Sequence, residues 1–136
     1  MRAFAISVLV LLMLSCSETT TTQVIDFSQV ESASSKQIWM IKEGLDKGLT
    51  VVNTAAIKSS THKRAYYVGA VFTGSGIEDG VAGVWLITGD KDNPGIIQSV
   101  DGGAHNFSPY PLSKNTPAGA RSTDKECKTL RKYLGK

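Results

Sequence analysis

The sequence predicts an α+β domain, an antiparallel sheet of three to four strands packed with an N-terminal and a C-terminal helix. Two observations carry that prediction. Short, β-branched, nearly continuous apolar runs fill the middle of the chain, and the connections between them are too short for parallel crossovers. An amphipathic segment opened by a capping-box sequence lies on each side of those runs.

The first of these segments begins at Ser34-Ser35-Lys36-Gln37, a Ser-x-x-Gln box that starts a helix near Lys36. Ile38, Ile41 and Leu45 follow at i, i+3 and i+7 as one apolar stripe, and Gly48 supplies a stop. Trp39 neighbours the stripe and is expected to help seal the core. Residues 50–57 carry both β-branched residues and alanines; strand is the preferred reading over a continued helix. Residues 59–63 read as a turn.

Tyr66–Thr73 and Val81–Thr88 are apolar almost throughout and read as buried strands, joined by the glycine-rich hairpin loop Gly74–Gly80. Asp90–Gly95 reads as the next turn and Ile96–Val100 as a further strand nearer an edge. Residues 102–121, rich in Gly, Pro, Ser and Asn, read as irregular. Thr123-Asp124-Lys125-Glu126 forms a second capping box, and Cys127, Leu130 and Leu134 then repeat at i, i+3 and i+7. Cys127 therefore belongs to the stripe facing the sheet, where a free thiol acts as a small hydrophobe. Lys125, Lys128, Arg131 and Lys132 take the opposite face. Such a face is ordinarily solvated, with cations well placed near the helix C-terminus, though it would also suit anionic headgroups.

Upstream of this domain the chain changes character. Arg2 is followed by an apolar run from Ala3 to Leu14, of signal-peptide length and too short to span a bilayer. The run ends Met13-Leu14-Ser15-Cys16, which resembles a bacterial lipobox; Ser15 and Cys16 fit, Met13 is an apolar substitute, and Leu14 departs from the pattern. Two cleavages compete: before Cys16, with lipid attached to its thiol, or after Ser17 by ordinary signal peptidase. The first is preferred because it explains a cysteine at the end of an apolar run. A multiply acylated cysteine would hold the chain stably on its membrane. The expected organisation is a signal peptide over residues 1–15, a lipid-anchored flexible tether over 16–33 containing the run Thr19–Thr22, and the domain over 34–136. Val24–Val30 reads either as the end of the tether or as an extra edge strand.

Composition narrows the function classes. The formal net charge is +3, and loss of residues 1–15 takes Arg2 with it and leaves +2, too little to argue for nucleic acid. Of the two cysteines, Cys16 is lipidated or removed, so Cys127 has no partner in the chain and a disulfide framework is excluded. About a hundred residues in the domain suffice for one core.

Chemical motifs are sparse. Asp90, Asp92 and Gly95 match calcium-loop positions one, three and six, but Pro94 lacks the fifth ligand and Asp101 stands where a bidentate Glu is usual. Residues 74–80 lack dinucleotide-loop spacing and carry Glu78 and Asp79 where phosphates would sit. His62 and His105 are the only histidines, and neither has a second ligand at metal spacing. Asp101, His105 and Ser108 contain the letters of a catalytic triad, yet three such residues in one glycine-rich loop ordinarily form turns and backbone hydrogen bonds. No metal and no cofactor is expected.

Tyr66-Tyr67-Val68-Gly69-Ala70, Gly83-Val84-Trp85, and Ser99-Val100-Asp101 followed by Phe107-Ser108 occur in that order. This arrangement over residues 66–109 resembles small exported proteins of actinobacteria and their phages. The resemblance implies no catalytic residues; it implies that Trp85, Asp101 and Phe107 form a recurring structural signature.

The functional expectation is a membrane-anchored envelope lipoprotein on the extracytoplasmic face, attached through Cys16, not an enzyme and not a nucleic-acid binder. Its domain is expected to bind a protein at the cell surface, a class of role that includes blocking competing phage (superinfection exclusion). The alternative is a module for a small envelope ligand, or a secreted domain if Cys16 is not lipidated. The candidate binding surface comprises Trp85, Asp101, His105, Phe107 and Tyr110. A cleft lined by Asp101 and His105 would favour small-molecule chemistry, and a flat apolar patch at Tyr110 and Pro111 a protein partner.

Overall fold

A computed structural model of the chain describes residues 26–136. The expected signal peptide, Cys16 and the first part of the expected tether lie outside them. The elements run α1 (Ser35–Gly44), β1 (Thr50–Lys58), β2 (Ala65–Thr73), β3 (Val81–Asp90), β4 (Asn93–Ser99), α2 (Gly102–Phe107), a 3-10 turn at Ser113–Asn115, and α3 (Lys125–Tyr133). The strands form one antiparallel sheet in the order β1-β2-β3-β4. The α+β class holds, and residues 50–58 are strand.

Strand alternation divides the side chains between two cores. Ile57, Tyr67, Val71, Val84 and Leu86 meet Cys127, Leu130 and Leu134 of α3 on one face. Val68, Ala70, Phe72, Trp85, Ile87 and Ile97 meet Ile41 of α1 and Ala104 of α2 on the other. Helices on both faces explain why β2 and β3 read as continuous apolar runs: neither side of the central strands meets water. The thiol of Cys127 is fully buried, and burial, then the nearby Asp101 charge, pushes its pKa up to about 12. It is a packing residue and not a nucleophile.

The α1 capping box forms as its sequence reads: the Ser34 hydroxyl accepts from the Gln37 N–H at 3.1 Å, and the Gln37 side-chain Oε1 accepts from the Ser34 N–H at 3.0 Å. The buried line of α1, however, contains Gln37 and Ile41. Trp39 lies two residues from each of them, on the far side of the helix, and is 61% exposed. It does not seal the core.

The second box does not form. The N-cap of α3 is Asp124, one residue later than the sequence suggested, which leaves Glu126 at the second helical position instead of the third. Glu126 instead accepts from the Ser60 N–H and hydroxyl. Burial pushes its carboxyl up, but the Ser60 bonds outweigh that and leave it below the ordinary glutamate value. Asp124 accepts from the Tyr67 hydroxyl at 2.6 Å, which pins α3 to the sheet.

The turn expected over 90–95 is shorter. Asp90 pairs with Asn93 and Gly89 with Pro94, so β4 starts at Asn93 and only Lys91 and Asp92 turn. Pro94 is tolerated because β4 is an edge strand and a bulge interrupts the ladder between Ile87 and Gly89.

Residues 102–121 are more ordered than their composition suggested. Gly102–Phe107 is helical because Asp101 caps it, its carboxylate accepting from the Ala104 N–H at 2.9 Å. α2 lies directly on β3, and glycine permits the approach: a Cβ on Gly103 would run into the carbonyl oxygen of Ala82, and one on Gly83 would sit 2.9 Å from the Ala104 nitrogen.

Within the span assigned to the tether, residues 26–33 lie against the domain. Glu31 and Ala56 exchange backbone bonds at 2.9 and 2.8 Å, Val30 packs on the α3-side core, and the Phe27 ring meets Tyr133 edge-on at 5.5 Å. No described helix is long and apolar enough to cross a membrane.

Candidate ligand-binding cleft

β4 leaves the sheet at Val100, and the polypeptide then crosses the end of β3. At that point the Asp101 side chain replaces a missing ladder partner. Its Oδ1 accepts from the Val84 N–H at 3.1 Å as well as from Ala104, and its Oδ2 accepts from Arg131 of α3 at 2.6 Å. One carboxylate, 4% exposed, therefore ties β3, α2 and α3 together. Its charge is met by Arg131 and both of its oxygens are engaged.

Further along the crossing, Ser113 is a buried hub. Its carbonyl accepts from the Thr116 and Gly119 N–H groups, and its hydroxyl accepts from the Ala120 N–H at 3.0 Å. This knot folds residues 113–120 back on themselves, so that Lys114 and Arg121 reach the same depression. The result is an open cleft of about 330 Å³ lined by Val100, Asp101, Gly102, His105, Leu112, Lys114, Arg121, Ser122 and Thr123. Lys114 and Arg121 are exposed and have no carboxylate partner among the described residues. With Asp101 neutralised by Arg131, the cleft carries two cations and two hydroxyls around an apolar floor of Val100 and Leu112.

The candidate residues from the sequence separate into two groups. Asp101 and His105 come together in the cleft. Trp85, Phe107 and Tyr110 do not line it. Trp85 is completely buried, so it belongs to no surface; its indole N–H donates to the Ser108 hydroxyl at 3.1 Å. Phe107 packs on Phe72 with ring centroids 5.2 Å apart. Tyr110 is half-buried, and its hydroxyl donates to the Met40 carbonyl. Burial, then the Glu43 charge, raises its pKa and keeps it a neutral donor. Tyr110 is therefore a strut under α1 and not the centre of a flat apolar patch.

The letters of a triad do not assemble. Ser108 donates to the Ala104 carbonyl at 2.6 Å and accepts from Trp85, Asp101 is saturated by backbone and Arg131, and the exposed His105 ring has no hydrogen bond within the described residues. Among the described residues no group of three or more His, Cys, Asp or Glu could hold a metal ion. Lys114, Arg121, Ser122 and Thr123 carried no signal as a site. They lie 12 to 22 residues from Asp101–Gly102 in sequence and meet only through the Ser113 knot.

No protein-family model, curated protein or solved structure matches the chain.

Proposed function

We propose that the chain is an exported lipoprotein, anchored through Cys16, whose domain acts by binding and not by catalysis, and that it holds a small anionic ligand in the cleft beside α2. The observation that carries this reading is the convergence of Lys114 and Arg121, without carboxylate partners among the described residues, on a cleft of about 330 Å³. That volume suits a small molecule. Arg121 offers a planar fork matched to carboxylate or phosphate, Lys114 adds a point charge, and Ser122 and Thr123 can donate to the same oxygens. The saturated Asp101 supports binding over catalysis, because a carboxylate occupied by Arg131 and two backbone N–H groups is not free to orient His105 as a base. The small-ligand reading gains over the protein-partner reading because Tyr110, where an apolar patch was expected, is tied beneath α1.

The test is an NMR titration with inorganic phosphate and with succinate. The Gly102, His105 and Ser122 amides should shift with one common dissociation constant. Removing one charge-assisted contact should cost about 1.5–3 kcal/mol, so Lys114→Gln and Arg121→Gln should each weaken binding by about tenfold or more. Unchanged binding in the double variant would sink this assignment of the cleft.

A further inference from the structure

We propose that the solvent face of α3 is a docking surface for an anionic lipid membrane, and that the domain lies with this face against the bilayer that anchors it. Lys125, Lys128 and Lys132 are exposed and recur at i, i+3 and i+7, one stripe along the side of α3 away from the sheet. Arg131, also cationic, is not part of it; it turns inward to Asp101. Beside the stripe lie two aromatic rings in edge contact, Phe27 at 40% and Tyr133 at 48% exposure. Lysines beside part-exposed aromatic rings are the composition of a surface that rests in the headgroup region. Helix-dipole stabilisation accounts for Lys132 near the C-terminus, but not for the aromatic pair or for Lys125 in the first turn. Asp26 lies beside Lys125 and partly offsets it, so Lys128 and Lys132 supply most of the attraction.

The path of the chain supports the same occupant. Phe27 joins the domain on α3 itself, so the described chain begins beside this face. Nine residues lie between Cys16 and Asp26, and the ten steps from one to the other span at most about 34 Å even when fully extended. This inference rests on the reading of Cys16 as the lipid attachment, because that bond places the bilayer within reach of α3. Each lysine brought to an anionic surface raises the docked population by about fivefold, and salt screens the effect.

The experiment uses the full chain as processed by a bacterial host, placed in vesicles of phosphatidylcholine alone or with phosphatidylglycerol. A fluorophore is attached at Thr129→Cys on α3 or, as control, at Glu43→Cys on α1; the buried, un-ionised Cys127 does not compete for label. Flotation with neutral vesicles reports the anchor. Iodide quenching of the label reports the face. In phosphatidylglycerol the label at 129 should be quenched at least about threefold less than in phosphatidylcholine, while the label at 43 stays unchanged. High salt, or Lys128→Glu with Lys132→Glu, should abolish the protection. Equal quenching at 129 in both lipids, with flotation intact, would overturn the docking face and leave the anchor standing. Failure to float with neutral vesicles, with protection at 129 on anionic ones, would instead overturn the anchor. Equal protection at 43 and 129 would also overturn the docking face.

Discussion

Trp85→Ala is expected to remove about 4 kcal/mol of stability, close to the whole margin of a small domain. Trp85 is fully buried between β3 and α2, 6.3 Å from the Phe72 ring, in the core shared by α1 and α2. Truncation leaves a cavity that the sheet cannot fill, because the backbones of β2 and β3 are each fixed by pairing on both sides. The indole N–H adds a second, smaller term. It donates to Ser108, whose hydroxyl in turn donates to the Ala104 carbonyl, so the tryptophan also fixes the end of α2. Trp85→Phe keeps most of the volume and loses that bond, and should cost about 1–2 kcal/mol. Thermal unfolding checks both, since about 1 kcal/mol moves Tm by roughly 4–8 °C in a domain of this size. A small Tm change for Trp85→Ala would mean that the α2-side core does not hold the fold together.

Asp101→Ala is expected to cost about 3 kcal/mol. It orphans two buried N–H groups, of Val84 and Ala104, and leaves Arg131 without its partner. Arg131 is 38% exposed, so water recovers part of its solvation and the loss falls short of that for a fully buried pair. Asp101→Asn separates the two contributions. An amide oxygen in the Oδ1 place can still accept from both N–H groups, while the NH2 in the Oδ2 place loses the charge pairing and the Arg131 bond; Arg131 is part-exposed and can turn to water, so the loss should be about 1 kcal/mol. Urea unfolding of the two variants against wild type reads the difference. Equal losses would mean that the ion pair, and not the backbone capping, is what Asp101 contributes. Asp101→Ala should also weaken anion binding, because Gly102 and His105 hang from this capped turn, whereas Asp101→Asn keeps the cap and should not weaken it.

The fold was readable where one physical cause dominated. β2 and β3 announced themselves as continuous apolar runs because helices cover both faces of the sheet. Ser34 and Gln37 announced the start of α1 because both partners of a local cap lie within four residues. Cys127 was placed by the period of its stripe. Reading failed where tertiary partners outcompeted local ones. Glu126 had the spacing of a cap, but Ser60, far away in sequence, holds it. Pro94 looked like a turn residue, but the edge position of β4 admits it to the strand. Gly102 and Gly103 looked like loop glycines, yet both are helical, and Gly103 is small because the backbone of β3 lies against it. Trp39 looked like a core residue by adjacency, while the buried line of α1 runs through Gln37 and Ile41.

The cleft was half legible. Asp101 and His105 stood out as rare chemical letters in one short segment. Lys114 and Arg121 did not, since two cations in a polar loop have no pattern until Ser113 folds the loop back. Trp85 and Phe107 stood out as parts of a recurring signature and Tyr110 as the centre of an expected patch; they proved to be packing residues and a strut. Large aromatic side chains mark a binding surface only when exposure is known, and sequence does not report exposure.

Intact mass with cell fractionation decides whether the domain is anchored by lipid at Cys16. The chain and its Cys16→Ala variant are expressed in a bacterial host. A lipid-anchored chain is membrane-resident, begins at Cys16 and carries the added mass of acyl chains, with membrane residence and added mass both lost in the variant. A product beginning at Glu18, unmodified and released from the membrane in both, would contradict the lipid anchor.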